Sequence, residues 1–285
     1  MSTRTLATMK NMLAKARAGK YAVGAFEFWS VDSAFAVAEA ANNLGTDAIL
    51  QIGWYERDHL GGYPNCRKVA EMAAEICRHD VAIHLDHAES YDEVLRALDA
   101  GFTSVMIDGS ALPLAENIAL ARRVVETARK YGASTEAELG RLAGSEGHVK
   151  NEEEFQTDPA EARRFVEETG IDALAVAIGT AHGFYKSAPK INIARLREIA
   201  AQVSIPLVLH GGSGTPVDKV AEAIQNGVAK VNICTEFIAA FGKGYVDAQA
   251  SADFKCNVPG LFGKGQTRAR ELVEGKMRLF KHGRE

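Results

Sequence analysis

Cysteine is scarce in this 285-residue chain, and its four copies, Cys66, Cys77, Cys234 and Cys256, nowhere form a CxxC pair. That spacing supports neither a zinc ribbon nor a disulfide framework. Long apolar runs are missing too: no stretch approaches the roughly 18 uninterrupted apolar residues of a transmembrane helix, so no membrane partner is expected. There is no surplus of positive charge. With 33 Lys and Arg against 37 Asp and Glu the formal net charge is −4, which gives no reason to expect a nucleic-acid partner. The N-terminal stretch lacks an apolar h-region, so a secretory signal is not expected. The 47% hydrophobic and 25% charged composition fits a soluble cytoplasmic protein, and with no low-complexity linker residues 1–285 are expected to form one domain.

What the chain does have is a regular alternation of strand-like and helix-like segments. The strand candidates are 21–28, 47–53, 81–87, 104–110, 134–140, 173–179, 205–212 and 229–234. Between them lie alanine-rich, charged segments of 3.6-residue period, such as the stripe Ile118, Ala119, Ala121, Val124, Val125 and Ala128. Strict βα alternation implies parallel strands and right-handed crossovers, and eight units close an α/β barrel of the TIM (β/α)8 type. The N-terminal segment up to Tyr21 reads as an amphipathic helix over the bottom of that barrel, and a helical tail is expected at the C-terminus. Residues 141–158 and 251–266 are the longest irregular stretches, and long loops in a compact domain are often functional lids.

Three apolar runs, AIHLDH, ALAVAIGTAH and IPLVLH, end on His87, His182 and His210, the first with Asp86 beside it. Side chains at strand C-termini of such a barrel converge on one face, where three imidazoles make an open zinc site. A single histidine so placed is more often a core residue satisfied by a backbone hydrogen bond. Three at matching strand ends argue for a shared metal. Signals for phosphate binding follow on the last three units, where these barrels commonly place such a site. HGGSG (210–214) precedes a helix expected to open near Pro216; its glycines let backbone N–H groups approach an anion, and Ser213 offers a hydroxyl. NICTEF adds Asn232 and Thr235, and GTAHGFYK adds Gly183 and Lys186.

The runs HLDHAESYDEVLRALDAGFTSVMIDGS, STEAELGRLAGSEG, DALAVAIGTAHGFYKSAPK, PLVLHGGSG and AKVNICTE resemble those of class II, metal-dependent ketose-bisphosphate aldolases over nearly the whole chain. The resemblance implies aldol cleavage of a fructose- or tagatose-1,6-bisphosphate type of ketose to dihydroxyacetone phosphate and an aldehyde. It implies that His87, His182 and His210 hold one catalytic Zn2+, with Glu138 near the metal as an alternative ligand or an outer partner of the ligands. Asp86 would protonate the aldehyde oxygen, and Glu146 on a mobile loop would move the dihydroxyacetone phosphate proton. Gly183, Lys186, Gly211, Ser213, Asn232 and Thr235 match the ketose-phosphate site, near which a monovalent cation (Na+ or K+) often lies. A homo-oligomer, dimer or tetramer, is expected.

Departures from the family pattern cluster on the aldehyde half. Many relatives carry asparagine at Glu27 and serine or threonine at Gly53, while Cys234 and Ile238 replace an aspartate or small residue and a basic or amide one. In the LAGSEG loop Ala143 stands where glycine is usual. The acceptor is therefore open: a variant cleaving another ketose 1-phosphate, with an unphosphorylated or acidic aldehyde product, is the close alternative. A degraded sugar-phosphate-binding barrel is a second, against which the complete set of His87, His182, His210, Asp86 and Glu146 argues. A zinc hydrolase is a third, and it has no use for a loop glutamate with a phosphate cradle. If the distal end is phosphorylated, Lys255, Lys264, Arg268 or a neighbouring subunit must supply its cation.

Overall fold

Residues 5–140, 156–183, 185, 189–251 and 257–282 are described by the structure, a computed structural model. Each apolar run of the sequence becomes a strand: β1 (Val23–Glu27), β2 (Ala48–Ile52), β3 (Val81–Ala88), β4 (Ser104–Ile107), β5 (Ser134–Leu139), β6 (Ala173–Val176), β7 (Leu207–Leu209) and β8 (Val228–Ile233). All pairings are parallel, and β8 returns to β1, closing an eight-stranded barrel. The expected TIM architecture is the observed one. The helices are α1 (Met9–Gly19), α2 (Val31–Leu44), α3 (Trp54–His59), α4 (Tyr63–Ile76), α5 (Tyr91–Asp99) and α6 (Leu114–Lys130) in the first half. They continue as α7 (Pro159–Thr169), α8 (Ile193–Gln202), α9 (Val217–Gln225), α10 (Thr235–Gln249) and α11 (Val258–His282).

Local signals set the helix starts. Ser30 accepts from the Ser33 N–H at 3.2 Å and the Ser33 hydroxyl accepts from the Ser30 N–H at 2.9 Å, a reciprocal cap for α2. Asp158 accepts from two N–H groups of α7, with Pro159 at the first helical position. Asn117, not Ala119, completes the buried face of α6. Its amide donates to the Glu138 carbonyl at 3.0 Å, tying the helix to the end of β5.

Two cores result. One fills the space between strands and outer helices; the other lies inside the barrel, where Val23, Ala25, Ile49, Ala82, Met106, Ala173, Ala175 and Val208 meet Met9, Met12, Leu13 and Ala16 of α1. The N-terminal helix thus closes the bottom of the barrel, as its pattern predicts. Along β3 the inward row then changes from Ala82 to His84 and Asp86, apolar below and polar above.

The stretch 251–266, expected to be irregular, is helical from Val258 onward. Its glycines serve helix packing: a Cβ on Gly244 of α10 would stand 2.6 Å from the Lys264 carbonyl, and one on Gly265 would stand 2.9 Å from the Phe241 ring. Close approach of α10 and α11 outweighs the low helix propensity of glycine.

Candidate active site

Asp86 and His87 are adjacent on a strand, which ordinarily sends their side chains to opposite faces. Two irregularities bring both to the barrel mouth. The β3–β4 register shifts between Leu85 and Ala88, and His87 adopts φ 47°, in the left-handed region uncommon for a residue with a side chain. Asp86 is 8% exposed and accepts from Gln51 Nε2 at 3.0 Å and from Asn232 Nδ2 at 3.3 Å. His210 directly follows β7. His182 is not at a strand end as its apolar run suggests; β6 stops at Val176 and the histidine stands six residues on, in the βα loop.

That loop is held against the next one. Tyr185 Oη accepts from the Ala181 N–H and donates to the Gly211 carbonyl, both at 2.9 Å. Gly211 has φ 64°, and a Cβ there would collide with the Ala181 backbone, so the contact that brings His182 beside His210 requires glycine.

The three imidazoles form one cluster, with ring centroids 4.6 to 5.9 Å apart. A nitrogen from each lies within 4.8 Å of the others, close enough to share one metal ion. His87 Nε2 and His210 Nδ1 face one another at 2.8 Å. Their far nitrogens are taken by carboxylates, His87 Nδ1 by Asp108 and His210 Nε2 by Glu136, each at 2.9 Å. This is the arrangement that orients metal-ligating histidines. Burial, with His87 next to it, pushes His210 well below the usual histidine value and leaves a neutral imidazole able to ligate. Burial works the same way on His87, but Asp86, the Asp108 hydrogen bond and Glu138 outweigh it and hold its pKa well above the usual range. The cluster therefore carries surplus negative charge that a bound cation would neutralise. Nitrogen donors with carboxylates behind them suit zinc.

Glu138 sits behind His87, 3.9 Å from Nδ1, in a second group with Asp108 rather than among the three imidazoles. It is buried, one oxygen lacks a hydrogen-bond partner among the described residues, and burial together with Asp108 raises its pKa well above the usual carboxylate value.

A cavity of about 300 Å³ opens over the cluster. It is lined by Asp86, His87 and His182, by Gly183, Gly211, Ser213, Asn232 and Thr235, and by Glu27 and Gly53. Of the described residues selected from the sequence, His210, Glu138, Ile238, Lys264 and Arg268 are not part of this lining, and the others converge on it. The helix N-terminus at the cavity is that of α10, through Cys234 and Thr235; α9, which follows HGGSG, does not line it. The N-terminus of a fifteen-residue helix beside a Gly-rich turn presents backbone N–H groups and the positive end of a helix dipole, which suit an anion. Glu146 and Lys186 lie outside the described residues, as does Lys255. Lys264 and Arg268 line a separate cavity between α10 and α11, so within one chain they do not supply the distal cation.

Comparison with known proteins agrees with this geometry. A family model described as fructose-bisphosphate aldolase class II matches residues 7–284. The chain is 39% identical over 278 residues to a fructose-bisphosphate aldolase of Geobacillus stearothermophilus, covering 97% of each. The chain belongs to the class II fructose-bisphosphate aldolase family. It is 38% identical to a fructose-bisphosphate aldolase of Staphylococcus aureus strain Mu50, over 96% of this chain and 97% of that one. The crystal structure of the YdjI aldolase from Escherichia coli K12 superimposes with a TM-score of 0.85 at 30% identity, over 97% of both chains. As a member of this family the chain is an enzyme, a carbon–carbon lyase of the aldolase class.

Three residues of this aldolase's site escape a reading by motif. Lys230 and Glu136 form a fully buried ion pair of 2.8 Å beneath the histidines, and Glu136 also holds His210. His84 lies beside them, 3.6 Å from Glu136 and hydrogen-bonded to Ser104 at 2.9 Å; burial and Lys230 push its pKa well below the usual value. The only signal in the sequence is a lone lysine in AKVNIC and a glutamate two residues before Glu138, both pointing inward at strand period.

Proposed function

We propose that this aldolase carries out reversible aldol cleavage of a ketose phosphate to dihydroxyacetone phosphate and an aldehyde, the reaction of fructose- and tagatose-1,6-bisphosphate enzymes, with one zinc ion held by His87, His182 and His210. The observation that carries this reading is the carboxylate-backed histidine cluster beside a Gly-rich turn and helix N-terminus. Bound there, zinc supplies Lewis acidity to the ketone oxygen of the substrate. Glu138 is the alternative ligand.

The remaining chemistry belongs to side chains. Gly183, Gly211, Ser213, Asn232 and Thr235, with Lys186, bind the ketose phosphate, alongside a monovalent cation such as Na+ or K+. In cleavage the C3–C4 bond breaks. Asp86, aimed into the cavity by Gln51 and Asn232, takes the C4 hydroxyl proton as that carbon becomes the aldehyde. The electron pair left on C3 takes a proton from Glu146. Glu27 and Gly53 shape the wall where the aldehyde leaves. The enzyme works as a cytoplasmic homo-oligomer, dimer or tetramer, a reading supported by family membership and by exposed Val246 and Val258 on α10 and α11.

Glu146→Ala should abolish deuterium exchange at dihydroxyacetone phosphate, whereas Asp86→Ala should retain exchange and lose cleavage. Metal analysis should find one zinc per chain, lost in His87→Ala. Full activity of a chelated, metal-free sample, or equal exchange in wild type and Glu146→Ala, defeats the assignment.

A further inference from the structure

The aldehyde half of the cavity has its own chemistry, whose interpretation as a substrate pocket rests on the proposed aldolase activity. Its wall comes from the ends of β1 and β2 and from α3. Gln51 is 1% exposed and donates through Nε2 to both Glu27 Oε2 and Asp86 Oδ2, each at 3.0 Å. The Asp86 carboxylate fixes the amide's orientation, because the reverse would set the Gln51 carbonyl against Asp86 Oδ2. Gln51 Oε1 is consequently a buried acceptor with no donor among the described residues, closed off from the cavity that the rest of its residue lines.

The neighbouring groups are acceptors as well. Glu27 and Glu56 flank Gly53: a Cβ built on that glycine would stand 3.5 Å from Glu27 Oε1 and 3.3 Å from Glu56 Oε2. Beside them Trp54 and Tyr55 line the cavity while remaining 61% and 66% exposed, their rings edge to face at 5.7 Å. Among the described residues lining the cavity there is no lysine or arginine.

A phosphate dianion brings acceptors and charge of the same sign to such a wall. A hydroxyl brings a donor, and a chain of hydroxylated carbons also presents C–H faces that cover aromatic rings. The geometry points to a ketose 1-phosphate whose distal end is an uncharged polyol, so that the released aldehyde is polyhydroxylated and unphosphorylated. Glu27 and Glu56 accept from its hydroxyls, and Trp54 and Tyr55 cover its carbon chain. Glycine at position 53 leaves the space between the two glutamates open to the substrate.

The test compares kcat/KM of the zinc-loaded, full-length enzyme for fructose 1-phosphate and longer ketose 1-phosphates with that for fructose and tagatose 1,6-bisphosphate. The 1-phosphates should be favoured about tenfold or more, and Glu56→Lys should move the ratio toward the bisphosphates by about tenfold. Trp54→Ala should raise KM for the longer ketoses more than for fructose 1-phosphate. A bisphosphate preferred by about tenfold, with a ratio indifferent to Glu56→Lys, overturns the proposal. Preference for a ketose with an amino-substituted tail overturns the uncharged assignment. Deuterium exchange at dihydroxyacetone phosphate without aldehyde separates the two levels: exchange together with bisphosphate preference sinks this proposal alone. Absence of both exchange and cleavage sinks the aldolase reading with it.

Discussion

Lys230 and Glu136 pair at 2.8 Å with neither side chain exposed, and Glu136 passes the constraint on to His210 Nε2. Removing one member of such a pair leaves a buried charge uncompensated, at a cost of about 3–5 kcal/mol. Lys230→Met should therefore lose stability on that scale in urea denaturation, and Lys230→Met with Glu136→Gln should recover part of it. Metal affinity should fall about 10- to 100-fold in Lys230→Met, because the histidine loses its fixed orientation. Equal stability of the single and double variants would show that no charge pairing is at stake. Glu27 behaves differently. Burial first, then Glu56 and Asp86, raise its pKa well above the usual carboxylate value. The folded state thus favours its protonated form; that contribution is complete below the unfolded value of about 4.3 and is lost as pH rises toward the folded value. In metal-free protein, the stability of wild type relative to Glu27→Gln should fall as pH rises from about 4.3 toward that raised folded value. A difference that stays constant with pH refutes the placement. The identity of Asp86 and His87 was legible from AIHLDH, whereas Lys230 and Glu136 were not, since a buried pair shows as two isolated charges far apart in sequence.

Among elements, legibility followed burial. Strands of a parallel barrel are covered on both faces, so each reads as an apolar run, and all eight were legible to within a few residues. Their ends were not. The left-handed His87, the bulge beside it and the loop position of His182 depend on contacts with other elements, which a strand-period pattern does not encode. Tyr185 shows how such contacts act, because its hydroxyl joins the loop after β6 to the turn after β7. Tyr185→Phe removes the acceptor for Ala181 N–H and the donor to the Gly211 carbonyl. Metal affinity should then drop about tenfold, the low end of the effect of removing an outer orienting contact. A chelator competition titration measures it. An unchanged dissociation constant would mean that the loop is positioned by its backbone alone.

The molecule as a whole separates a stability end from a chemistry end. Met9, Met12, Leu13 and Ala16 of α1 plug the barrel against an apolar layer, while the ionisable groups collect at the other mouth. From Val81 to His87 the strand rises six residues, roughly 20 Å at 3.3 Å per residue. Perturbations separated by more than about 10 Å with no shared partners add. Leu13, 1% exposed, packs in that bottom layer, so Leu13→Ala should cost about 2–5 kcal/mol of stability. A zinc ion bound as proposed would act by mass action on the folded state, contributing about 4 kcal/mol when free zinc is a thousand times its dissociation constant. Wild type and Leu13→Ala should gain the same increment on zinc addition, with equal dissociation constants and equal kcat/KM at temperatures where both are folded. If Leu13→Ala weakens zinc binding more than about threefold, roughly 0.6 kcal/mol, the two ends are coupled through the barrel interior. In that case the inward row from Ala82 through His84 to Asp86 is the path to dissect next, starting with Ala82→Gly in the zinc titration.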